Sequence, residues 1–321
     1  MLSHIVNSIL SVVIAASGEN KLGILTYHRI GESYNQLFMD EYLFEQQLIW
    51  LKRYFNPIGL AEGLLLQQQG RLPKRSIAIT VDDGYLDSYT KIFPLLQKHK
   101  LTATFFISTS GLKTGFLWDE LISSAILTLD EEVLELDFEG DLFPLTTHNQ
   151  RLACSKKIIE KVKYCSLKDR ERLTNLLLKK TGEPKLSHQF LNEEHILSLH
   201  KAGMGIGAHT VNHPILTCEK DSISKAEILD SKQKLEKIIE APVKFFAYPN
   251  GKSNIDFNHK HQDIVKECGF EAALTTDWGC VDSLSVNPYG LKRFTPWDVT
   301  EGKFSLRLAL NFNSLYSRFF N

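Results

Sequence analysis

The sequence predicts an α/β protein whose parallel sheet, closed or nearly closed into a barrel, is covered by helices. Short apolar runs rich in β-branched residues recur along the chain, and amphipathic helical patterns separate several of them. At 321 residues with 43% hydrophobic side chains, the chain can fill a core of that size. Alternation of strand and helix dictates parallel pairing, because parallel neighbours need a long crossover and a helix supplies one.

Taken in chain order, the first element is the apolar run SILSVVIAASG at 8–18. It ends in small residues as a signal-peptide core does, but no Lys or Arg precedes it. Residues 1–21 are therefore expected to form an apolar helix on the domain or at a membrane surface, too short to span a bilayer. A cytoplasmic or membrane-peripheral location is favoured over secretion. Strands are expected at 22–27, 76–81, 102–107, 203–208, 243–248 and 270–276, and helices at 40–54, 86–99, 192–202, 222–240 and 259–268. Asp40 and Asn192 stand as N-caps, since their side-chain oxygens can accept from first-turn N–H groups. Between 112 and 191 the alternation stops. A helical LWDELISSAIL, an acidic β-like VLELDFEGDLFPL and a charge-laced helical stretch read there as an insertion whose charged face meets solvent. The barrel itself is expected over 22–300, and 301–321 as an amphipathic helix packed on the barrel or on the N-terminal helix.

Charge excludes some partners. The 37 Lys and Arg nearly cancel the 38 Asp and Glu, so no net field exists to capture nucleic acid or an anionic membrane. The five cysteines are scattered without CxxC spacing, which argues against both a disulfide framework and a thiolate zinc site.

The chemistry is carried by two strand ends. SIAITVDDG delivers Asp82 and Asp83 to the C-terminal end of a strand, where parallel α/β proteins meet their ligands. On its own, Asp83-Gly84 reads equally as a turn. GAHTVNHP puts His209 and His213 four apart after a second strand, the reach needed to grip one cation, although two surface histidines beside Pro214 would look the same. A divalent metal reconciles the two stretches. One carboxylate and two imidazoles make a ligand set with open positions, and the other carboxylate can then serve as a base toward water. Thr210 stands where a HExxH protease would keep its glutamate. Gly203, Gly205 and Gly207 read as close backbone packing, not as a phosphate loop. Trp118, Trp278 and Trp297 offer flat faces for sugar rings, though such rings are more often core or rim.

These stretches resemble the polysaccharide deacetylase family, carbohydrate esterase family four, also called the NodB-homology domain. TVDDGY is similar to its T-F-D-D-G motif, HTVNH to its H-S/T-x-x-H motif, and YPNG at 248–251 to the latter part of its R-x-P-x-G motif. The resemblance implies a distorted (β/α) barrel of about seven strands with a mainly helical insertion. It implies Asp83, His209 and His213 as metal ligands, zinc being the family's commonest cation, and Asp82 as general base. An acetylated glycan is the implied substrate, with Tyr85 through its backbone N–H, and Tyr248, Pro249, Arg293 and Trp118, as candidate contacts. Two departures stand out. The third motif's arginine falls at Ala247, leaving Arg293 as candidate substitute, and no C-terminal L-x-H supplies a general acid. LTYHRI at 25–30 resembles the Y-H-x-V/I element of circularly permuted members, which makes His28 the candidate acid. Hydrolysis of another non-peptide C–N amide, or glycan binding without catalysis, are the alternative functions.

Overall fold

The computed structural model describes residues 20–31, 38–135, 142–182, 184, 188–282 and 287–312. The apolar run at 8–18 and the stretch 313–321 of the expected C-terminal helix lie outside the described residues.

Seven parallel strands form the wall: β1 Lys21–Tyr27, β2 Ser76–Val81, β3 Thr104–Ile107, β4 Gly205–Ala208, β5 Phe245–Ala247, β6 Ala272–Trp278 and β7 Leu291–Arg293. They follow one another around the sheet in chain order, with two short pieces, Asn56–Pro57 and Val281–Asp282, attached at β2 and β1. The ring closes just beyond β7, where Phe294 N–H donates to Ile24 O at 2.8 Å and Thr26 N–H donates to Phe294 O at 3.0 Å. The α/β barrel expected from the alternation is thus present. Every residue of β2 is buried, as a strand covered on both faces requires. The glycines of β4 admit the neighbouring strand's side chains: a Cβ at Gly205 would lie 2.6 Å from Thr104 Oγ1, and one at Gly207 would lie 2.4 Å from the Phe106 ring.

The helices longer than five residues are α1 Glu41–Tyr54, α2 Leu60–Gln68, α3 Phe93–His99, α4 Trp118–Leu127, α5 His148–Lys163, α6 Leu167–Thr181, α7 Glu193–Lys201, α8 Asp221–Ile239, α9 His259–Glu267 and α10 Glu301–Phe312. Asp40 Oδ1 accepts from Leu43 N–H at 2.9 Å and Asn192 Oδ1 from His195 N–H at 2.8 Å, so both caps act as their chemistry suggests. Two elements had no clear signal. The leucines of α2 do not follow a one-sided helical spacing, and β7 has three residues, two of them cationic. α10 rests on α1, with Phe304 5.5 Å from the Trp50 ring and Phe312 6.1 Å from Phe55. No helix among the described residues is long and apolar enough to cross a membrane.

The insertion contains α4, α5, α6 and an antiparallel strand pair, Val133–Glu135 with Leu142–Pro144. It has its own apolar cluster, including Ile122, Ile126, Leu134, Phe143, Ile158 and Leu173. The charge-laced stretch breaks into two helices at Ser166, whose Oγ accepts from Asp169 N–H at 3.2 Å and starts α6.

Candidate active site

The strand order sets the geometry of the site. Because β7 and β2 both border β1, residues at their C-terminal ends meet although they are 211 positions apart. Asp82 and Asp83 follow β2 directly, and Asp82 N–H donates to Tyr27 O at 2.9 Å, beside His28 on the next strand. Asp83 and Gly84 both adopt left-handed backbone, at φ +77° and +99°. Glycine is required at 84, because a Cβ there would lie 2.9 Å from Ile107 and 3.0 Å from Phe190.

Asp82 is held by Arg293. Nη1 donates to Oδ1 at 2.8 Å and Nη2 sits 2.7 Å from Oδ2, a two-pronged contact between fully buried groups. Arg293 also donates through Nε to Thr275 O at 2.8 Å and through Nη1 to Thr80 Oγ1 at 3.1 Å, so the guanidinium cannot swing away. Burial pushes the Asp82 carboxyl up, but Arg293, with His209 and His28 near it, outweighs burial and holds it below the ordinary carboxylate range. Arg293, from β7, thus makes the contact with Asp82 for which the sequence offered it as a candidate.

Asp83, His209 and His213 converge. Each histidine Nε2 lies 3.4 Å from Asp83 Oδ1, and the three ligand atoms lie within 4.8 Å of one another. In a tetrahedron with bonds of about 2.1 Å, ligand atoms stand about 3.4 Å apart, so the spacing fits a small divalent cation. The donor chemistry fits too. His209 Nδ1 lies 2.7 Å from Ala247 O, so that nitrogen carries a proton, and Nε2 is the atom that would offer a lone pair to a cation. Burial lowers His209, yet the Asp83 hydrogen bond and both aspartate charges raise it overall. Burial dominates at His213 and pushes it down to about 3. Asp83 stays well below the carboxylate range, because the surrounding imidazoles outweigh its burial.

The loop carrying the histidines is held from two directions. Thr210 and His213 have φ of +65° and +52°. Thr210 Oγ1 accepts from His213 N–H at 3.0 Å, and Glu227 of α8 accepts from the N–H groups of Val211 and Asn212 at 3.0 and 2.7 Å. From the insertion, Arg170 of α6 donates to His213 O at 3.1 Å and to Asn212 O. Arg170 is 5% exposed, so the charged face of this helix is not wholly solvated as its composition suggests.

His28 is half-buried at the end of β1, near both Asp82 and Asp83. Its neighbour Arg29 pairs with Asp87 at 2.9 Å and with Glu120 of α4 at 2.7 Å, and its guanidinium lies 4.0 Å from the Tyr85 ring centroid. Asp119, beside Glu120, is raised to about 6 by burial and by the charge of Asp83.

The candidate substrate contacts need correction. The Tyr85 ring is 2% exposed, between Arg29 and Phe190, so only its backbone can face a ligand. Tyr248 is fully buried, stacked on Phe257 at 3.8 Å with its hydroxyl donating to Tyr289 O, and Pro249 beside it is buried as well. Arg293 spends its donors on Asp82, Thr80 and Thr275. Trp118 is half-buried against the insertion's apolar cluster, with the Arg170 guanidinium 4.7 Å from its ring. Trp278, the last residue of β6, and Trp297, past the end of β7, keep 36% and 49% of their surface exposed. Composition alone did not single out Arg170 or Glu227. Their signal is positional: Arg170 shares a helical stripe with buried Leu173, Thr174 and Leu177, and Glu227 shares one with Ser224, Ile228 and Ser231.

Comparison with known proteins bears on the family and the fold. The family model described as Polysaccharide deacetylase matches residues 69–273. The poly-beta-1,6-N-acetyl-D-glucosamine N-deacetylase of Staphylococcus epidermidis is 27% identical over 203 residues, covering 61% of this chain and 69% of its own. The protein of the same name from Staphylococcus aureus is 28% identical over 174 residues, 51% of this chain, and the match spans 58% of that relative's length. Among solved structures, the Streptococcus pyogenes deacetylase PplD in complex with acetate superposes with a TM-score of 0.62 at 19% identity, covering 90% of this chain and 98% of that one. IcaB from Ammonifex degensii gives 0.60 at 17% identity, covering 91% and 98%. At these identities the superpositions speak to the fold.

Proposed function

Because the chain belongs to the polysaccharide deacetylase family, we propose that it hydrolyses the acetamido group of an N-acetylated sugar in a glycan, releasing acetate and a free amine. The observation that carries this reading is the pair of 3.4 Å separations from Asp83 Oδ1 to His209 and His213, next to an aspartate clasped by a buried arginine. In this reading Asp83, His209 and His213 hold a divalent cation, with zinc the first choice for two imidazoles and one carboxylate. Such an ion supplies Lewis-acid polarisation of the acetyl carbonyl and acidifies a water.

The chain's own residues do the rest. Asp82, kept ionised and oriented by Arg293, takes a proton from the attacking water. The Tyr85 backbone N–H, which meets no acceptor among the described residues, is available to the carbonyl oxygen as negative charge builds there. His28 gives a proton to the departing nitrogen. The names of the staphylococcal relatives support an N-acetylglucosamine polymer as substrate, and Trp278 and Trp297 offer faces on which its rings can stack.

The test is acetate release from N-acetylglucosamine oligomers by the full chain, with Zn²⁺ or Co²⁺ added. Release that stops with a chelator and returns with the ion is the expected result. A folded, cation-loaded protein that frees no acetate from any N-acetylated sugar would refute the proposal.

A further inference from the structure

The insertion reaches the site as well as decorating the barrel. Two of the five residues from His209 to His213 have left-handed backbone, a conformation unfavourable for a non-glycine residue. A loop so strained keeps its shape only when groups outside it hold both its donors and its acceptors. Glu227 of the barrel takes the N–H groups of Val211 and Asn212. The carbonyls of Asn212 and His213 turn the other way, and among the described residues Arg170 is the group that donates to them. Arginine suits this task, because its planar fork presents several N–H groups at fixed spacing and stays charged when buried. The guanidinium is itself backed by the Trp118 ring of α4, 4.7 Å away. The same helix α4 sends Glu120 to Arg29, next to His28, so the insertion grips the site on both flanks.

We infer that Arg170 is a positioning residue of the cation site: through it the insertion fixes the backbone that carries His213, and so sets how tightly the cation is held. The inference rests on reading Asp83, His209 and His213 as that site.

Arg170→Met and Arg170→Lys, made in the full chain, test it by chelator competition for Zn²⁺ and Co²⁺, with thermal unfolding of the cation-free protein recorded alongside. Arg170→Met is expected to bind each ion about 10- to 100-fold more weakly, as loss of a ligand-orienting partner does elsewhere. Arg170→Lys is expected to recover part of this, because one ammonium cannot span both carbonyls as the fork does. Acetate release by the weakened variants is expected to return toward the parent level as the ion is raised to saturation, which a general loss of structure would not allow. Parent-like affinity in folded Arg170→Met overturns the inference while leaving the cation site standing. Should that variant not fold, parent-like affinity in Arg170→Lys overturns it equally. A parent chain that binds neither ion overturns the reading of the site, and this inference with it.

Discussion

Arg293 grips both carboxylate oxygens of Asp82, at 2.8 and 2.7 Å, with each residue only 1% exposed. Removing one partner strands a buried charge, at a cost of about 3–5 kcal/mol. Arg293→Met is therefore expected to be strongly destabilised, and adding Asp82→Asn to restore most of the loss, as measured by urea unfolding of the two single variants and the double. The pair also sets an acid limit. Because Asp82 lies below its ordinary value in the fold, its stabilisation is complete above the unfolded carboxyl pKa of about 4 and fades as pH falls through the lower folded value. Arg293→Met is expected to lose that acid-side fall.

Asp82→Asn keeps the shape of the side chain and removes its basicity. Acetate release is expected to drop by about 10²- to 10⁴-fold, the usual contribution of a positioned base. Zn²⁺ affinity is expected to stay within a few-fold of the parent, since Asp82 lies outside the three-residue cluster. Loss of the ion together with activity would instead make Asp82 a ligand.

His28→Gln separates proton donation from binding. An amine must be protonated to leave, whereas a nitrophenolate leaves unaided. The variant is expected to lose about 10²-fold or more on an N-acetyl sugar and only a few-fold on a nitrophenyl acetate. Equal losses on both substrates would remove the acid role.

Glu120 titrates in the opposite sense to Asp82. Burial raises it, Arg29 opposes this in part, and Asp119 adds to it, giving about 7 in the fold against 4.5 for the free side chain. Between those values the folded chain holds a proton that the unfolded chain has released, so stability falls as pH rises through that window. The cation-free protein is expected to lose on the order of 1–2 kcal/mol between pH 5 and pH 7.5, allowing for partial solvent screening. Glu120→Gln is expected to flatten that slope in urea titrations at the two pH values.

How much of this the sequence discloses depends on the range of the physics involved. The wall strands β1 to β6 show as apolar β-branched runs, because burial on both faces demands them, and the DDG and HxxxH stretches announce their chemistry locally. β7 does not show, because two of its three residues are cations and its place comes from closing the ring beside Ile24 and Thr26. Arg293 is visible only as an arginine, since its carboxylate partner lies 211 positions away. Arg170 and Glu227 are hidden by a habit of reading charge as surface, although each sits in phase with the buried stripe of its helix. Tyr248 and Trp118 mislead for the converse reason: an aromatic ring suits a sugar and a core equally well, and composition does not separate the two.

Asp83, Thr210 and His213 all keep backbone angles that glycine or asparagine would adopt more cheaply, and of the three only Thr210 has no ligand atom to lose. At position 210 glycine would relieve the backbone angle but give up the hydroxyl that receives the His213 N–H, so strain and hydrogen bonding oppose each other within a single residue. That balance leaves little to gain at this loop, so engineering for durability belongs in the outer helices.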